Sequence, residues 1–496
     1  MSIVKAECEV KSAVEAVLAC AEFSQKSVPR LGPVEVRLWT ALLALGRAVL
    51  ALFLARCAAQ PRASSYVHNS QRFAFDTSNR RTVELGTRFG KLKFSRPVGL
   101  PLDGVSRAAD LPVDRELGLC SGFSLGTVTA ISRLCAMMAF ATARQVFEQF
   151  HEWTPSPRAT LRMVDTLGAQ ARPFLQQAPA PADDGEIVVI ETDGGGAPMI
   201  SSAEYQRRCR PKRNNSLTQR RHRHQRRREQ QKPRRTKGQK SKNSKLAVVA
   251  AVYTLKRTAH GLEGPINKRL IATFASHTEL FAWLKDEAVK RGYGNKRTVF
   301  LADGSEHIWN LQQKYFPDAE VGLDWIHVTE KLWTAGQCLF AEGSTELCAW
   351  VKEQQALLRR GSVDPMLQNL IRAFLEIPKT GPGNKGRRDR LGAVIEYLTG
   401  HRERLRYHEL RRDDLPIATG VIEGAIRNLV RVRLDGPGMR WSRDRAESVL
   451  HLRCILLNNQ WDDFSRFIAK RAPRLFAHPI PTRTHDAVPQ SLSIAA

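Results

Sequence analysis

Apolar positions in the first 60 residues recur at helical spacing on several faces, and LWTALLALGRAVLALFLA (Leu38–Ala55) predicts a long helix. From 61 to 115 short apolar stretches alternate with turn signals, as in GTRFGKLKFSRPVGLPLDG, and predict loops or short strands. Helical spacing returns from Glu116 to about Ala171. There Ser156-Pro157 offers a capping hydroxyl and a proline suited to the first helical position, while Leu161, Val164 and Leu167 form an apolar face. Helix, tight turn and a second helix carrying Arg158 and Arg162 suit a helix-turn-helix reader of DNA, and equally an ordinary helical hairpin.

The pattern changes after the Pro/Ala-rich QQAPAPADDG (Gln176–Gly185), the centre of a linker at 173–186. EIVVIETDGGG, KLAVVAAVYTL and KRLIATFAS are β-branched runs that predict three strands. HTELFAWLKDEAVKRG predicts a helix, RTVFLADG a fourth strand and AEVGLDWIH a fifth. This succession describes an α/β fold on a mixed five-stranded sheet. The chain thus reads as a helical and mixed region (1–115), a helical, possible DNA-binding segment (116–172) and a linker (173–186). The first part of an α/β core (187–330), a helical insertion (331–412), a last helical part of the core (413–465) and a tail (466–496) follow.

An apolar content of 42% with 25% charged residues suits a globular protein, but the net charge of +28 sets this chain apart. Such a surplus concentrates polyanions, chiefly nucleic acid or anionic membrane. The membrane reading is the weaker one, because Arg47 sits at the centre of the apolar run, where it costs roughly 2.5–3.5 kcal/mol on insertion scales. A buried core helix is expected instead. The N-terminal MSIVKAECEVKSAVEAV is polar, unlike a signal peptide. The nine cysteines are scattered and never form CxxC, which favours a reducing compartment over disulfides or a zinc ribbon. Between the first two strands, residues 206–245 hold 18 Lys and Arg against the single acid Glu229, supplying +17 of the charge and leaving +11 elsewhere. Arg207, Arg208, Arg226, Arg227 and Arg228 belong to this run, which suits phosphate backbone without reading sequence. His222 and His224 lack the fixed scaffold a metal site needs.

Three acids occupy comparable places: Asp193 ending VVIETD, Asp303 ending VFLAD, and Glu423 in TGVIEGAIRNLVRVRL. Taken singly, each aspartate before a glycine reads as a turn residue, and Glu423 pairs with Arg427 as on any helix surface. Gathering three carboxylates is costly unless a cation joins them. Mg²⁺ does so through oxygen ligands, and two ions about 3.5–4 Å apart can hold both the attacking and leaving oxygens of a phosphoryl displacement. Neither aspartate is followed by GxxxxGK, so no P-loop is present despite Gly194-Gly195-Gly196.

VVIETDGGG, VFLADGSEHIW, EVGLDWIHVTEKLW and LPIATGVIEGAIRNLVRVRLDGPGMRWSRDRAESVLHLRCILLNNQWDDF together resemble a DDE transposase of the insertion-sequence family called ISKra4, related to the Mutator-like group. The likeness runs from about Glu116 to Phe464. It implies an RNase H-like core in which Asp193, Asp303 and Glu423 bind Mg²⁺, with Mn²⁺ able to substitute, to cut DNA at the element's ends and join the freed 3′-OH to target DNA. The related groups carry a Cys- or Asp-x-x-His motif on the strand after the second aspartate, supplied here by Asp324 and His327, with His327 orienting phosphate or the ligands. Arg427, Arg431 and Arg433 are placed to grip phosphates near the cut, and Trp441 either stacks on an unpaired base or packs in the core. The implied partners are terminal repeats and target DNA, with no membrane, and a homodimer or higher oligomer forms on DNA in the bacterial cytoplasm, at the nucleoid. The alternatives are a plain RNase H-like nuclease, a DNA-binding protein that has lost catalysis, and a basic RNA-associated structural protein.

Overall fold

The structure, a computed structural model, describes residues 2–22, 30–102, 108–209, 244–475 and 480–481. It is a mixed α/β protein of two units, residues 1–174 with 459–496, and residues 175–458.

In the first unit, helices α1 (Ile3–Leu18) and α2 (Leu31–Ala59) precede three strands, β1 (Ser65–His68), β2 (Gln71–Thr87) and β3 (Gly90–Pro101). The loops or short strands expected here are instead a long antiparallel hairpin whose register closes at Thr87 and Gly90. Gly90, at φ 118°, makes the tight reversal possible, and the Thr87 hydroxyl donates to its carbonyl at 2.8 Å. Leu85, Leu92 and Phe94 alternate onto one face and pack with Leu54 and Ala58 of α2. The expectation of a buried core helix does not hold for α2. Only Leu43, Ala51, Leu54 and Ala58 are buried, whereas Trp39, Leu42, Val49 and Phe53 are exposed. Among the described residues it is the one helix long and apolar enough to cross a membrane.

The short strand β4 (Ala108–Ala109) and helix α3 (Pro112–Glu116) lead to α4 (Leu125–Met137), α5 (Phe140–His151) and α6 (Pro157–Gln177). The Ser156 hydroxyl accepts from the Ala159 amide at 3.2 Å, as its capping role requires. A helix at Trp461–Leu475 also belongs to this unit, with Phe464 fully buried and edge-on to Phe174 at 5.3 Å. Residues 466–475, assigned above to a tail, therefore continue a helix anchored by Ile468 and Ala472.

The second unit carries α7 (Ser202–Cys209) and a five-stranded mixed sheet of β5 (Ile187–Pro198), β6 (Ser244–Thr258), β7 (Gly261–Thr273), β8 (Arg297–Ala302) and β9 (Glu320–Leu323). The order across the sheet is β7-β6-β5-β8-β9. β5, β6 and β7 pair antiparallel, whereas β8 runs parallel to β5 and β9 parallel to β8. Helices α8 (His277–Lys290) and α9 (Glu306–Tyr315) make the parallel crossovers. Helices α10 (Trp325–Gly336), α11 (Thr345–Arg359), α12 (Val363–Glu376), α13 (Asn384–Gly400) and α14 (Tyr407–Arg412) then intervene before α15 (Gly420–Ile426). Ile187, Val189, Tyr253, Leu255, Val299 and Leu301 face one side of the sheet and pack against Leu410 and Leu415, with Ile417 and Val421 alongside.

Candidate active site at the strand ends

The site follows from strand register. Thr192 of β5 is level with Ala302 of β8, and Ala302 with Leu323 of β9. The next residue along the chain in each case is an acid, so Asp193, Asp303 and Asp324 stand in a row at the level where β8 and β9 end, the edge at which open α/β sheets bind ligands. Asp193 was expected to terminate its strand. It lies inside β5, which runs on to Pro198 through continued pairing with β6. Asp193 and Asp303 are half-buried, and each uses Oδ1 on a nearby amide, Gly194 N–H at 2.6 Å and Ser305 N–H at 3.0 Å.

Asp324 was expected on the fifth strand together with His327. That strand stops at Leu323, and Asp324 is the N-cap of α10, which puts His327 in the helix's first turn. Asp324 is 0% exposed. Its Oδ2 accepts from the His327 amide at 3.0 Å and lies 2.6 Å from His327 Nδ1, while Oδ1 accepts from the Thr419 amide at 2.8 Å. Burial pushes its carboxyl up, but the hydrogen bonds from His327 and Thr419 outweigh this and hold it below the usual range. His327 is raised to about 9, first by its hydrogen bond to Asp324, with burial opposing and the charges of Asp324, Asp193 and Asp303 adding. Asp193 is raised by burial, then by Asp303 and Asp324, against the pull of the Gly194 amide and of His327.

Glu423 is exposed on α15, and ligating atoms of Asp324, His327 and Glu423 all lie within 4.8 Å of one another. Among the described residues that group includes neither Asp193 nor Asp303, whose charges nevertheless act on His327. After α15 the chain widens into a π-helical turn, Arg427–Arg431, before α16 (Val432–Leu434). Exposed and buried residues then alternate in pairs. Glu423 and Gly424, Arg427 and Asn428, and Arg431 and Val432 face out, and the pairs between them face in. The wider turn keeps Arg427 and Arg431 on the face of Glu423 and rotates Arg433 inward. Gly195 permits the close approach, since a Cβ there would meet Ile426 at 3.0 Å and Val430 at 3.1 Å.

Of the residues weighed above for DNA contact, Arg433 is corrected by this geometry, and Trp441 takes the core place that was one of its two readings. Arg433 is 1% exposed, with its guanidinium 4.9 Å from the centre of the Trp441 ring. Trp441 is 5% exposed and donates from Nε1 to the Leu434 carbonyl at 2.9 Å. Both belong to the core, and neither reaches a phosphate or a base. Arg158 and Arg162 are exposed on α6 of the first unit, and Arg207 is exposed on α7, which also holds Arg208. Arg226, Arg227, Arg228, His222 and His224 lie outside the described residues.

The sequence reading missed Glu191. It is 0% exposed, two residues before Asp193 and on the same face of β5, and its carboxylate accepts from the Tyr253 hydroxyl at 2.7 Å and the Ile422 amide at 2.8 Å. The signal was an acid in the otherwise apolar VVIETD, which a buried strand does not tolerate without partners. No family model matches the chain, and no curated protein matches it.

Proposed function

We propose that this protein is a DDE transposase of the kind its sequence resembles, built on an RNase H-like core and catalysing metal-dependent cleavage at insertion-sequence ends and strand transfer into target DNA. The observation that carries this reading is the row of acids level across three parallel strands, of which Asp324, with His327, has ligating atoms within 4.8 Å of Glu423 on a helix that follows a long helical insertion. The mixed sheet, with its antiparallel first three strands and parallel fourth and fifth, is in keeping with the core that the resemblance implies.

The residues fit a hard divalent cation. Asp193, Asp303 and Glu423 offer anionic oxygens, and the crowding that raises Asp193 is what a cation relieves. They would hold two Mg²⁺, or Mn²⁺, which when bound activate the attacking water or 3′-OH and stabilise the leaving oxygen. His327 is fixed through Nδ1 by Asp324, a pairing that favours its charged form, so that its Nε2 can donate to a phosphate oxygen. Arg427 and Arg431 share the face of Glu423 and bind the phosphates flanking the cut. Arg207, Arg208 and the basic run beyond them add sequence-independent grip on the backbone. The partners on this reading are terminal repeats and target DNA, bound by a homodimer or larger assembly at the nucleoid, with no membrane.

The test is cleavage of a labelled duplex bearing the element's terminal repeat, with Mg²⁺, with EDTA, and by Asp303→Asn. Metal-dependent cutting that disappears in the variant while DNA binding persists supports the reading. Equal cutting by wild type and variant makes Asp303 a turn residue and removes the triad.

A further inference from the structure

Glu423 is exposed and is delivered by a short helix at the end of a long excursion, so something must fix where its carboxylate stands. Three contacts do this for residues 417–422. The Trp325 amide donates to the Ile417 carbonyl at 2.9 Å, Asp324 Oδ1 accepts from the Thr419 amide at 2.8 Å, and Glu191 Oε2 accepts from the Ile422 amide at 2.8 Å. Two of the three are carboxylates buried to 0% exposure, reaching from the strand ends to backbone N–H groups at the start of α15 that have no acceptor within the helix.

We infer that Glu191 is a positioning residue for Glu423: it holds the first turn of α15 against β5 so that Glu423 meets the other metal-binding acids. The inference rests on the transposase reading and adds a fourth acid to it with a different duty. Glu191 is not counted as a ligand, because it is closed off from solvent and stands outside the close group of ligating atoms that Glu423 makes with Asp324 and His327, its Oε1 held by Tyr253 and its Oε2 by Ile422. Nor does it merely fill the core. A core position between Ile190 and Thr192 would take an apolar side chain without the cost of burying a carboxylate, and here that cost secures one particular amide, one residue before Glu423.

The experiment is Mn²⁺ binding to the full chain, followed by calorimetry, for wild type, Glu191→Ala, Glu423→Ala and the double variant, with thermal unfolding as a check of folding. Glu191→Ala is expected to weaken Mn²⁺ binding by about 10-fold or more, the usual effect of losing a group that orients a ligand. The double variant is expected to bind no more weakly than Glu423→Ala, because Glu191 acts only through Glu423. Glu191→Gln keeps the shape and one acceptor oxygen and is expected to restore most of the affinity. If the alanine variant does not fold, Glu191→Leu, which fills the same space without an acceptor, takes its place in the cycle. Unchanged Mn²⁺ binding by the Glu191 variant, or losses that multiply in the double variant, would overturn the inference. Should Glu423→Ala bind Mn²⁺ like wild type, the triad itself fails, and that result is separate from any effect at Glu191.

Discussion

The two ends of strand β5 treat carboxylates in opposite ways. Just before the strand, Asp184 receives Arg291 Nε at 2.5 Å and Nη2 at 2.6 Å, with the Thr254 hydroxyl at 2.9 Å. The Arg291 side chain is fully buried and also donates to the Asn267 carbonyl at 2.9 Å. Burial pushes Asp184 up, but the guanidinium and the hydroxyl overcome this and hold it below the usual carboxylate range. Towards the other end, burial and neighbouring acids raise both Glu191, to about 7, and Asp193, and the cation that pulls on Asp193 is His327. At Asp184 the chain supplies a guanidinium in bidentate geometry. Where acids crowd without one, their charge is costly, and this is the physical ground on which the proposed metal site is placed there.

The strongest way to break this contrast is to remove one acid from each end. Asp184→Ala strands the Arg291 charge and is expected to cost about 3–5 kcal/mol in denaturant unfolding. Because the folded pKa of Asp184 is depressed, its contribution is present above the ordinary carboxylate range and lost as pH falls through the folded value. Asp193→Asn, which removes a crowded anion, is expected to leave stability unchanged or slightly higher. A large loss there would mean that Asp193 is a structural acid like Asp184.

Metal sharpens the comparison further. At a hundred times its dissociation constant, Mg²⁺ is expected to stabilise the wild type by about 2.7 kcal/mol and to leave the Asp193→Asn/Asp303→Asn protein unaffected. Equal stabilisation of both would place the binding site elsewhere.

His327 provides a smaller and local readout. In metal-free protein its ring is expected to titrate near pH 9 by NMR, and Asp324→Asn is expected to bring it down towards the ordinary value. Its folded pKa lies above the unfolded one, so the stability it lends is complete below about pH 6.5 and is lost as pH rises through about 9. A midpoint unmoved by Asp324→Asn would show that the pair does not govern His327. The smallest effect is expected for Arg427→Ala, which should weaken DNA binding and lower its salt slope by about 1. Arg433→Ala, inside the core beside Trp441, should change stability and leave that slope alone.

Some of this was legible because the signals are local. β5, β8 and α8 announce themselves by β-branched runs and by apolar spacing, and Asp303 stands where its run stops. The long hairpin of β2 and β3 was not legible, since its strands are studded with Arg and Lys and their hydrogen bonds come from each other rather than from local pattern. The apolar run of α2 told nothing of how much of it the fold would cover. Arg433 looked like its neighbours Arg427 and Arg431 until the π-helical turn shifted the phase of the helix by enough to bury it.

What the sequence by itself determined is the part of the element set with a strong local pattern, β5, β8 and α8 among it, the surplus of positive charge, and the carboxylates that end or interrupt apolar runs, because these depend on residue type and spacing over a few positions. Only the tertiary structure decided which acids meet. Asp193, Asp303 and Asp324 become neighbours through the register of three parallel strands. Glu191 and Glu423, 232 positions apart, are brought together when one binds the amide next to the other. Spacing along a chain carries no information about such contacts, since the loops between them can be of almost any length at little cost in free energy.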